Sequence, residues 1–90
     1  MSVDACESIR KQIEELAMTE GYAYELLFQL VKRFKAVYKE YNEGERTLRG
    51  IYPVANSSKY LAIVYKPFDV SIRTLCDSDV EKCKSFIFSS

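Results

Sequence analysis

Lys59-Tyr60-Leu61-Ala62-Ile63-Val64-Tyr65-Lys66, KYLAIVYK, is the stretch whose reading decides the fold. Its β-branched and aromatic residues favour an extended chain, and the two lysines mark its ends. In a strand, successive side chains point to opposite faces. Tyr60, Ala62 and Val64 therefore share one face, and Leu61, Ile63 and Tyr65 share the other. Both sets are apolar, which is the pattern of a central strand covered on both sides.

Working outward, the neighbours supply more strands. Residues 47–54 carry Leu48, Ile51, Tyr52 and Val54, and Pro53 ends the strand or places it at an edge. Ala55-Asn56-Ser57-Ser58 reads as a turn, and Pro67-Phe68-Asp69 as another. Residues 70–75, VSIRTL, alternate in the manner of a half-exposed strand. Phe86-Ile87-Phe88 closes the chain as a short strand over 85–88 or a hydrophobic tail. Before it, Ser78 and Glu81 have capping-box spacing, which predicts a short helix over 78–84.

The N-terminal half has a different period. Cys6, Ile9, Ile13 and Leu16 recur at three- and four-residue intervals, so residues 4–18 read as a helix with Asp4 at its N-cap. Residues 22–42, YAYELLFQLVKRFKAVYKEYN, repeat the pattern with Tyr24, Leu27, Leu30, Val31, Phe34, Val37, Tyr38 and Tyr41. Gly21 breaks the two, which predicts an antiparallel helical hairpin. The acidic first helix and the Lys32, Arg33, Lys35 and Lys39 cluster of the second favour that pairing weakly. The expected order is α-α-β-β-β-α-β. Helices followed by strands indicate an α+β fold, here a hairpin packed on a three- to four-stranded antiparallel sheet.

Ninety residues is the size of one domain. With 48% apolar and 29% charged residues the chain can bury enough surface to fold. Thirteen cations balance 13 anions, which argues against attraction to nucleic acid by bulk charge. The balance is uneven, from −3 in residues 1–45 to +3 in residues 46–90. The start of the chain lacks a signal-peptide pattern and no run reaches membrane-spanning length, so the expected location is the cytoplasm, with no membrane contact.

Catalytic templates find few of their parts. Histidine is absent, which removes Ser-His and Cys-His pairs and the commonest general base. The three glycines stand apart and form no phosphate loop. Asp77, Asp79 and Glu81 read as helix capping, and three cysteines do not complete a zinc site. No metal, cofactor or catalytic residue is expected. Cys76 and Cys83 read first as buried thiols, and as a candidate disulfide if the source is a hyperthermophile.

Two functional readings remain. The first is a non-enzymatic interaction or regulatory module acting as a homodimer or with a protein partner. It rests on 13% aromatic content, on Tyr52, Tyr60 and Tyr65 as exposed sheet residues, and on the second face of strand 59–66, to be covered either by the short helix and the Phe86–Phe88 tail or by another subunit. The alternative is a small nucleic-acid-binding protein. Arg49, Lys59, Lys66 and Arg73, interleaved with tyrosines, are the residues that would hold phosphates and stack bases.

Overall fold

Strand Tyr60–Lys66 lies inside a four-stranded sheet, paired on both edges. The computed structural model describes residues 4–18, 35–69 and 71–89. The elements run α1 (Ala5–Met18), β1 (Tyr38–Asn42), β2 (Thr47–Pro53), β3 (Tyr60–Lys66), a 3-10 turn (Pro67–Asp69), β4 (Ser71–Asp77) and α2 (Val80–Phe88). The strands lie side by side in chain order, all antiparallel. The fold is thus α+β with an antiparallel sheet.

The two-sided pattern of β3 has two separate covers. Leu61, Ile63 and Tyr65 join Leu48 and Tyr52 of β2 against Cys6 and Ile13 of α1. Ala62 and Val64 join Ile51 against Cys83 and Ile87 of α2. One helix on each face gives the second face to α2 and its Phe86–Phe88 end, the first of the two expected covers, and not to a second subunit. The argument for a dimer through that face falls away.

Three expected elements differ. The helix predicted over 22–42 is not what its last residues form: Tyr38–Asn42 is, among the described residues, an edge strand paired with β2, Tyr38 opposite Ile51 and Asn42 opposite Thr47. Residues 22–34 lie outside the described residues, so the helical hairpin is not part of the described fold. Val37, Tyr38 and Tyr41 share one side of a helix, whereas in a strand Tyr38 faces away from Val37 and Tyr41. Here Tyr38, Glu40 and Asn42 are half-buried while Lys39 and Tyr41 are exposed. Long-range pairing overrode the helical spacing of the local sequence. A tight turn completes the hairpin. Asn42 Oδ1 accepts from the Glu45 amide at 3.0 Å, and Arg46 takes a left-handed φ of 54°.

The strand predicted over 85–88 is helix. α2 runs to Phe88 because Cys83 and Ile87, four residues apart, both bury fully against the sheet. Its N-cap is Asp79, not Ser78: Asp79 Oδ1 accepts from the Glu81 amide at 2.9 Å. The last strand extends to Asp77 rather than ending at 75, which takes Cys76 into the sheet. α1 starts where the sequence places it, with Asp4 Oδ1 accepting from the Cys6 amide at 2.8 Å. That bond, more than any other contact, holds the Asp4 carboxyl below its ordinary pKa.

Candidate interaction surface

The three tyrosines chosen from the sequence do not form an exposed patch. Tyr52 and Tyr65 are 4% and 0% exposed and belong to the core beneath α1. Tyr60 is half-buried on the opposite face, against the α2 cluster. Strand parity separates them: residues 52 and 65 fall on the α1 side and residue 60 on the α2 side. Tyr52 lies back over Gly50. A Cβ at Gly50 would stand 2.5 Å from the ring carbon Cε2 of Tyr52, so the ring takes up the space the glycine leaves. Burial pushes the Tyr52 phenol up to about 12 and raises that of Tyr65 as well. The Tyr65 hydroxyl is buried without a hydrogen-bond partner among the described residues.

The four cations are also dispersed. Arg49 is 8% exposed. Its Nε donates to the Ile87 carbonyl in the last turn of α2 at 2.9 Å, and one terminal nitrogen reaches Glu45 at 3.4 Å. Arg49 thus satisfies a helix C-terminus, where a cation complements the dipole. Arg73 is the cross-strand neighbour of Val64, as Arg49 is on the other side. Its guanidinium lies 4.9 Å from the Phe86 ring centroid. Lys59 and Lys66 flank opposite ends of β3, about 23 Å apart at an extended rise. Of these four cations Arg73 is exposed, Lys59 and Lys66 are half-buried and Arg49 is buried.

Of the two readings of Cys76 and Cys83, Cys83 keeps the first, a buried thiol, and Cys76 is bridged to a different partner. Cys76 is bonded to Cys6, with Cα atoms 6.2 Å apart, and Cys83 is a free, buried thiol. The reason is again parity. Cys76 packs on the α1 side of the sheet and Cys83 on the α2 side, so the sheet itself separates them. The Cys83 thiol donates toward the Asp77 carbonyl at 3.7 Å. Burial, with Asp77 and Asp79 nearby, pushes its pKa up, which makes it a poor nucleophile. No group of three or more Cys, Asp or Glu side chains among the described residues is placed to hold a metal ion.

A surface that sequence reasoning missed lies along β1. Val37 and Tyr41 are 50% and 43% exposed, and Phe88 of α2 is 55% exposed. Phe88 sits against Tyr38 edge to face, with ring centroids 5.5 Å apart. Three of the large apolar side chains that meet solvent therefore border one strand. Among the described residues that strand ends the sheet. Reading residues 38–42 as helix hid this edge. No alternation in the sequence marked it, since Tyr38 and Tyr41 fall on opposite faces of a strand. At the turn end of the sheet, exposed Phe68 is capped by Arg46, whose guanidinium lies 4.4 Å from the ring centroid.

Between α1 and the sheet lies an apolar pocket of about 230 Å³. No family model, curated protein or solved structure matches the chain.

Proposed function

We propose that this domain is a non-enzymatic interaction module that self-associates along the β1 edge. The observation that carries this reading is that β1, which ends the sheet among the described residues, is flanked by exposed Val37 and Tyr41 on one face and by exposed Phe88 on the other. Among the described residues β1 is paired with β2 alone, and apolar side chains beside an edge strand add burial when another strand docks there. A second copy is the favoured occupant because the chain carries no net charge, so copies approach without long-range repulsion.

Sedimentation equilibrium over a micromolar concentration series tests the reading. The expected mass is twice 10.4 kDa, falling to the monomer for Tyr41→Glu/Phe88→Glu. A monomer at every concentration refutes self-association, and a partner protein bound through the same two residues would replace the second copy.

The Cys6–Cys76 bridge fits an oxidising compartment, or the interior of a hyperthermophile. The cytoplasmic location is therefore part of the proposal only in the second case.

A further inference from the structure

We propose that the pocket between α1 and the sheet is a binding site for a small uncharged hydrophobic molecule, of one or two fused rings or a branched alkyl group of similar bulk. This site is separate from the β1 edge. Its floor is Tyr52, Leu61 and Ile63, from the two central strands, and its roof is Ile9 and Ile13 of α1. The start of the β2–β3 connection, through Ala55, forms a wall.

Three features make it a site rather than a loose seam. The floor residues are at most 4% exposed and held in the sheet, so the pocket does not close by their moving. The roof is fastened to β4 at two places, by the Cys6–Cys76 bridge and by Thr74 Oγ1 donating to Glu14 Oε1. The mouth is itself apolar: Ile9 is 37% exposed and Ala55 is exposed.

Size and lining set the ligand class. Among the described residues that line it none is charged, so an ion entering would lose hydration with none of these side chains to replace it. An apolar cavity of about 150 Å³ holds benzene, and about 230 Å³ admits a bicyclic molecule. Pockets for larger ligands begin at about 300 Å³. Recognition is by shape and desolvation, with the Tyr52 ring as a flat wall.

The probe is indole, titrated into the full oxidised chain with isotope-labelled isoleucine methyls. The expected result is saturable shifts at Ile9, Ile13 and Ile63, with a Kd below about 1 mM. Indole-3-carboxylate should bind at least about tenfold more weakly because its charge must be desolvated. Ala55→Phe, at the exposed mouth, should abolish the shifts while the rest of the spectrum is retained. Ile9→Trp, on the other side of the mouth, should do the same if Ala55→Phe disturbs the fold. Absence of saturable shifts, equal binding of the carboxylate, or undiminished binding in a folded blocked variant overturns the proposal.

Discussion

Replacing both cysteines of the Cys6–Cys76 bridge by alanine removes the one covalent link between α1 and β4. The link spans a sequence separation of 70. In the chain-entropy account it restricts the unfolded chain, by an amount that grows with the logarithm of the loop. Loops of about 15 and 100 residues correspond to about 3 and 4.7 kcal/mol, which puts this one near about 4.4 kcal/mol. Losing a buried sulfur atom adds a smaller packing term, and Cys83→Ala measures that term by itself, since Cys83 is buried and unbonded. The double variant should therefore lose about 3–5 kcal/mol, and Cys83→Ala about 1 kcal/mol. For a domain of this size the former corresponds to a fall in Tm of about 12–40 °C. Urea unfolding monitored by circular dichroism is the assay. The denaturant slope should also rise in the double variant, because an unlinked chain exposes more surface. Alkylation of the unreduced, denatured protein should label Cys83 only. If Cys83→Ala costs as much as the double variant, or if Cys6 is labelled before reduction, the disulfide assignment and the argument from sheet parity are both wrong.

Other consequences can be checked in the same way. Arg49→Met should cost about 1.5–3 kcal/mol, the worth of a hydrogen bond from a charged donor, because it leaves the Ile87 carbonyl without that donor. Hydrogen exchange should quicken in the last turn of α2 more than in α1. Gly50→Ala should cost about 1–3 kcal/mol, since the new methyl would lie 2.5 Å from a ring carbon of buried Tyr52. Adding Tyr52→Leu should recover part of that loss, a non-additivity readable in a double-mutant cycle. Tyr52 contributes to the alkaline limb beside Tyr65 and Cys83, which are also raised: its folded pKa of about 12 lies above the unfolded value of about 10. Its contribution is present in full below pH about 10 and fades as pH rises through about 12. Absorbance at 295 nm should show Tyr52 titrating late in the folded protein, and Tyr52→Phe should flatten stability loss in that window. An ordinary pKa at Tyr52 would refute its burial.

How much of this was legible beforehand depends on the range of the interaction. The alternation of Tyr60 to Tyr65 carried the antiparallel sheet and the covering of both its faces, because side-chain parity in a strand is a local property. The N-cap of α1 was equally local: Asp4 and the Cys6 amide are two residues apart. Residues 38–42 were misread because Tyr38 and Tyr41, three apart, share a face only in a helix, and it is pairing with β2 that makes them a strand. Misreading them hid the β1 edge and so the candidate surface.

By itself, then, the sequence determined the α+β class, the central strand and the positions of the turns around it. Only the tertiary structure decided which cysteine meets Cys76, what Arg49 does and where the tyrosines of the sheet end up. Cys6 is 70 residues from Cys76, and Arg49 is 38 from Ile87. No local pattern encodes such partners. They follow from which face of the sheet each residue occupies and which helix covers that face, and both depend on the whole chain having folded.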